Sequence, residues 1–265
     1  MTLQFLPTLN YPEAERPILK RLEALFEEWH QHIAGADDSP YREFADEMVF
    51  DGFYPNYFSQ NLRVLFVGLE ARQIAGYNYL DVLYAAYSKG RYIGGIHLDK
   101  ARFHWRLLRI AYGLQNGMPQ WEQIPNASDI GETFGAKDGT SFAFMNLSKL
   151  SNEEDSHSAD WTSINAFHSL SERGASFYQR EIALLRPQIV ITMNIQSHLN
   201  SFGNSTYLDC ERGVTFWELE TLGNRALLID AFHFSAWNKN DIDDYYEPIR
   251  NGVRRHAHLC SEAPV

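Results

Sequence analysis

The chain is poor in cysteine, in positive charge and in long apolar runs, and each shortage excludes a class of function. Its two cysteines, Cys210 and Cys260, are far apart and form no Cys-x-x-Cys pair. By themselves they cannot build a tetrahedral thiolate site or an iron–sulfur cluster, and they read as reduced, structural thiols. Lys+Arg 23 against Asp+Glu 34 gives a formal net charge of -11. That argues against a surface that attracts nucleic acid everywhere, while leaving room for a local basic groove. No apolar run approaches membrane-spanning length, and the opening "MTLQFLPTLNYPEAERP" lacks the basic start and long apolar segment of a signal peptide. The expectation is a soluble, cytoplasmic protein with no membrane partner. There is no internal repeat and no low-complexity tract, and the His-x-Glu and Pro-Cys-x-x-Cys pattern of a zinc deaminase is missing.

What is present is a chain of 265 residues, 45% hydrophobic, long enough to bury a substantial core. From Pro12 to His32 the residues Ile18, Leu19, Leu22, Leu25, Phe26 and Trp29 recur at helical spacing. They predict an amphipathic helix within an N-terminal helical extension, residues 1–50, packed on a single globular unit at 51–265. "AGADDSPYREF" reads as a turn and "GFYPNYF" as a loop. "RVLFVGL", "SFAFMNL", "PQIVITMN" and "RALLIDAFH" are short apolar runs of the kind buried on both faces. "ARFHWRLLRIAYGL" and "GASFYQREIALLRP" are helical patterns between them. Strands alternating with helices predict an α/β fold, a three-layer α/β/α domain with a central, mostly parallel four-stranded sheet. "GVTFWELETLGNRALLID" adds an antiparallel arm turning at "LGN", and the region from Tyr77 to Gly139 is a long, loop-rich excursion.

Each predicted strand ends in polar groups: Gly68, Leu69 and Glu70 after the first, Asn146 and then Lys149 after the second, Asn194 after the third, His233 and Ser235 after the fourth. Parallel strands would gather these at one edge, where open α/β sheets bind ligands.

At this point the chain resembles the uracil-DNA glycosylase superfamily, in an atypical Gly-x-Glu form. "VLFVGLEAR" is similar to its first motif, "FAFMNLSKL" to its second, "EIALLRPQIVITMN" to its third, and "LLIDAFHFSAW" to its final His-Pro-Ser motif with Phe234 in the proline's place. The four blocks run in family order from Arg63 to Trp237. Two departures, Ala71 where most members have Pro and Arg72 where uracil-specific members have Tyr or Gly, set the pocket apart. The resemblance implies a DNA glycosylase needing no cofactor. It places Ser235 on a phosphate, Trp237 in the gap left by a flipped base, and Lys149 and Arg72 as local positive charge beside DNA.

The chemistry fits residue by residue. Cleaving an N-glycosidic bond builds positive charge on the sugar and leaves an anionic base. Glu70 suits the carboxylate that stabilises that cation and orients a water, and His233 suits the donor to the departing base oxygen. Asn146 offers donor and acceptor to a pyrimidine edge, and the backbone after Gly68, through Leu69, can approach closely. Ordinary roles compete: Glu70 as a helix N-terminal acid, Asn146 as a turn residue, His233 as a core histidine, Ser235 as an N-cap, Trp237 as core. The competing functions are a non-catalytic module binding a nucleobase, nucleotide or modified DNA, and a protein interaction module. The pairs His30/His32 and His256/His258 lack the spacing of a metal site, so no metal is expected. The acidic "SNEEDSHSAD" loop would repel phosphate if it lay beside DNA.

Overall fold

An apolar run with no polar face must be covered on both sides, and this requirement organises the whole molecule. The computed structural model describes residues 3–36, 42–154, 158–174 and 176–260. Its strands are β1 (Gly52–Phe53), β2 (Val64–Gly68), β3 (Ala71–Arg72), β4 (Tyr92–Ile93), β5 (Ile96–His97), β6 (Ala143–Asn146), β7 (Ser151–Asn152), β8 (Ile189–Met193), β9 (Asn204–Glu211), β10 (Val214–Thr221) and β11 (Asn224–Ala231). Its α-helices are α1 (Arg16–Ala34), α2 (Tyr79–Ala85), α3 (Arg102–Gln115), α4 (Ala127–Glu132), α5 (Trp161–Glu172), α6 (Phe177–Leu185) and α7 (Glu247–Arg255).

The main sheet has the order β1-β6-β2-β8-β11-β10-β9. β6, β2, β8 and β11 are the four apolar runs and pair in parallel, with Leu65 opposite Ala143 and Val190, and Ile229 opposite Ile191. The sheet is therefore seven-stranded and mixed, larger than the four strands expected. β10 and β11 form the antiparallel arm, turning at Leu222 and Gly223. β9 extends it at an edge where none of its side chains is buried, so its sequence carries no buried run to betray it. β1, within the expected "GFYPNYF" loop, is two residues paired to β6.

Alternation along the strands divides two cores. Val64, Phe66, Phe144, Ile191 and Ile229 face one side with α2, α3, α4 and α7. Leu65, Val67, Met145, Val190 and Leu228 face the other with α1, α5 and α6. Helix α1 is thus part of the layer itself: its buried Trp29 stacks on Phe177 at 4.9 Å and donates from Nε1 to Ser171 Oγ at 2.9 Å. The excursion from Tyr77 to Gly139 is more ordered than expected, holding α2, the β4–β5 hairpin, α3 and α4, with Trp121, Ile124, Ile130 and Phe134 in the first core. Of the turn expected at residues 34–44, residues 37–41 lie outside the described residues. Among the described residues, no helix is long and apolar enough to cross a membrane.

Two histidines embedded in these layers link folding to pH. Burial pushes His104 down to about 3, and burial together with His198 pushes His168 down to about 4. In the unfolded chain both titrate near about 6.5. Between those values the unfolded chain binds protons that the folded one refuses, so this contribution is complete above pH about 6.5 and is lost on acidification. The unfolding midpoint is expected to fall from pH 7.5 to 4.5, and less steeply in His104→Gln. A flat profile in the wild type contradicts the assignment.

Candidate functional site

The strand order reverses beside β2: the chain leaves β2 for β6 on one side, then crosses to β8 and β11 on the other. In an open α/β sheet the crevice outside the carboxyl ends at such a reversal is the place for a ligand. Gly68 and Asn146 end neighbouring strands there and are register partners. Asn146 is 1% exposed, and among the described residues its amide Nδ2 has no hydrogen-bond partner. Its backbone N–H donates to Asp51 Oδ2 at 2.7 Å. The following N–H groups, of Leu147 and Ser148, donate to the Gly68 and Leu69 carbonyls at 3.0 and 2.8 Å.

Gly68 is required by this close approach. A Cβ there would lie 2.8 Å from Asn146 Oδ1 and 2.9 Å from Phe144 Cζ. Gly68→Ala is expected to lower stability by about 1–3 kcal/mol through overpacking and to displace the Asn146 amide. An unchanged denaturant midpoint would contradict that.

His233 reaches the same face of the sheet. Its ring lies 5.7 Å from Phe103, whose ring lies 6.5 Å from Phe144, and Tyr79 stacks on Phe144 at 4.8 Å. His233 Nδ1 is 2.6 Å from Ser235 Oγ, and the Ser235 backbone N–H points to it at 3.4 Å. A backbone N–H can only donate, so Nδ1 is the acceptor and Nε2 carries the proton. Burial lowers the pKa of His233, which keeps the ring neutral near pH 7.

Glu70 takes a different environment. Its side chain is 6% exposed and lies 4.0 Å from Arg72. Oε1 accepts from Asn152 Nδ2 at 2.8 Å and from the backbone N–H of Asp160, the N-cap of α5, at 3.2 Å. Burial raises its pKa, against the bonds from Asn152 and Asp160 and the charge of Arg72. Glu70 lines a cavity of about 130 Å³ together with Glu47, Asn152, Asp160 and Ser163. Neither Asn146 nor His233 lines it. The sheet thus brings Gly68, Asn146 and His233 to one face, while Glu70, two residues beyond Gly68, turns toward the start of α5.

The residues expected to contact DNA divide. Trp237 is 82% exposed, which removes its reading as core. Ser235 is exposed and its hydroxyl holds the His233 ring. Arg72 donates to the Ser158 and Glu154 carbonyls at 3.3 and 3.2 Å, bracing the acidic loop, of which residues 155–157 lie outside the described residues. Lys149 is a correction. It is 0% exposed, with Nζ 2.5 Å from Asp51 Oδ1 and 3.0 Å from Glu181 Oε2, so it offers no charge to DNA. Burial works against its ammonium, but Asp51 and Glu181 outweigh it and hold the pKa above the usual lysine value. Burial, then Asp51, pushes Glu181 well above the usual carboxylate range despite Lys149.

Sequence reasoning missed Asn152, Asp160, Asp51 and Phe103. Asp160 begins "DWTS", an N-cap pattern that predicts a helix start but says nothing of Glu70. Among the described residues no group of three or more His, Cys, Asp or Glu is placed to hold a metal ion. His30 instead meets Asp46, His32 meets the Leu170 carbonyl, and His256 meets Asp209. No protein-family model matches the chain, and no curated protein matches its sequence.

Proposed function

We propose that the chain is a DNA glycosylase-like hydrolase that takes a damaged or modified base into the crevice at the ends of β2 and β6 and cleaves its N-glycosidic bond. One observation carries the reading: among the described residues the buried amide donor of Asn146 has no partner, on a residue whose register partner is Gly68 at the topological reversal of the parallel strands. An unpaired buried donor costs about 1–3 kcal/mol, so the site is incomplete until an acceptor arrives. A base carbonyl supplies one, and the rings of Phe144, Phe103 and Tyr79 line the same face. The motif resemblance to uracil-DNA glycosylases, from Arg63 to Trp237, supports the same conclusion. Ala71 and Arg72 point to a base other than, or beyond, uracil.

In this reading Asn146 reads the base edge and the Nε2–H of neutral His233 donates to the oxygen on which negative charge gathers as the base departs. Ser235 positions the imidazole. From its cavity at the start of α5, two residues beyond Gly68, Glu70 is desolvated and, among the described residues, held through Oε1; it orients the water and accepts its proton as the sugar cation is captured. The partner is DNA, with the free nucleobase or nucleotide as the smallest ligand the crevice would take.

The test is a panel of oligonucleotides carrying uracil, hypoxanthine, a thymine mismatch or modified cytosine, scored for abasic sites and for binding. Abasic sites on at least one lesion support the hydrolase. Lesion-selective binding without cleavage favours the non-catalytic module, and absence of both at low salt removes the nucleic-acid reading.

A further inference from the structure

Between α2 and α3 the chain makes a small projection that the proposed chemistry does not use. Tyr92 pairs with His97 and Ile93 with Ile96, and the two strands turn at Gly94 and Gly95. Both glycines have positive φ, 54° and 77°, the requirement of a tight two-residue hairpin turn. Tyr92 is 57% and Ile96 53% exposed, among the largest bare apolar side chains of the protein. From Lys89 to Arg102 the only acid is Asp99, against Lys89, Arg91, Lys100 and Arg102, in a chain whose net charge is -11. All four cations are exposed. Arg91 pairs with Glu132, and Asp99 is taken up by Ser128, accepting from its N–H at 2.8 Å and its hydroxyl at 2.7 Å.

The hairpin is joined to the candidate crevice through α3. It runs into α3, whose second residue, Phe103, lies against His233 and within 6.2 Å of Phe234. One turn on, the buried Arg106 donates from NH1 to the carbonyls of Phe234 and Ala236 at 2.6 and 2.8 Å, and from NH2 to that of Lys239 at 3.2 Å. Arg106 therefore fixes the loop bearing the 82% exposed Trp237 to the same end of α3 that carries the hairpin.

We infer that the β4–β5 hairpin is a DNA-docking element: Lys89, Lys100 and Arg102 take backbone phosphates, and Tyr92 stacks on an unpaired base beside the crevice. The inference rests on the proposed function for its choice of partner. Charge complementarity favours it, because this is a basic, aromatic segment on an otherwise acidic molecule. Flat, exposed rings interleaved with cations are the means by which proteins hold single strands without reading sequence.

The experiment is fluorescence anisotropy of the full chain with a fluorescein-labelled single strand and its duplex, across a salt series. The wild type is expected to bind, with log affinity falling linearly in log salt. Lys100→Glu/Arg102→Glu should lower that slope by about 0.7 for each single-strand phosphate no longer neutralised. Tyr92→Ala should weaken single-strand binding about tenfold and leave the slope unchanged. Unchanged unfolding midpoints establish that both variants are folded. No DNA binding by the wild type at low salt, or variants that bind as it does, overturns the inference. So does an equal loss toward heparin with no effect of Tyr92→Ala, which would mark a generic polyanion patch. Binding is read without cleavage, so the two readings fail separately. Docking through the hairpin with no excision sinks the hydrolase alone, and excision with hairpin-independent affinity sinks the hairpin alone.

Discussion

Lys149→Met is expected to lower stability by about 3–5 kcal/mol, because it strands two carboxylates in the second core. Lys149, Asp51 and Glu181 are all 0% exposed at their side chains, and the ammonium also lies 5.0 Å from the Trp29 ring centroid. No water shares the charge of what is left behind, so the effect is far larger than that of a surface pair. Glu181→Gln is the contrasting variant. Lys149 and Asp51 remain matched, and among the described residues Glu181 Oε1 already lacks a partner, so the change is expected to be within about 1 kcal/mol of neutral. Denaturant midpoints of the two variants check this, and equal losses would contradict the triad. Because Asp51 also accepts from the Asn146 N–H, the same ion cluster holds the strand end that carries the Asn146 amide.

Glu70→Gln is expected to cut single-turnover excision by about 10²–10⁴-fold, the usual contribution of a positioned proton acceptor. Glutamine keeps an oxygen for Asn152 and for the Asp160 N–H, so the fold survives while the base is lost. His233→Ala, which removes the proposed donor to the departing base, is expected to cost about 10²–10³-fold. In the proposed mechanism Glu70 acts ionised, and burial raises its pKa. The wild-type rate should therefore rise with pH through a midpoint above the usual glutamate value. His233, with its pKa lowered by burial, is a neutral donor near pH 7.

The parallel strands are legible in the sequence because β2, β6, β8 and β11 must bury both faces, and their residues say so. The grouping of Gly68, Asn146 and His233 at one edge follows from that alone. β1, β3 and β7 are two residues each and exist only through their partners, so no local pattern could announce them. The burial of Lys149 is hidden because lysine is rarely fully buried, and its two carboxylates come from segments 98 and 32 residues away. Glu70 does follow a strand end, but its partners Asn152 and Asp160 belong to a polar loop whose path is set by tertiary contacts. The ordinary reading of Glu70 as a helix N-terminal acid holds in one respect: it meets the N-cap of α5, a helix from elsewhere in the chain.

The most direct measurement is single-turnover release of a base from the lesion oligonucleotides by the wild type, Glu70→Gln and His233→Ala, side by side. The expected result is abasic-site formation by the wild type on at least one lesion, reduced about 100-fold or more in each variant. Excision that survives both substitutions undiminished would contradict the assignment of the crevice and of the two residues that carry its chemistry.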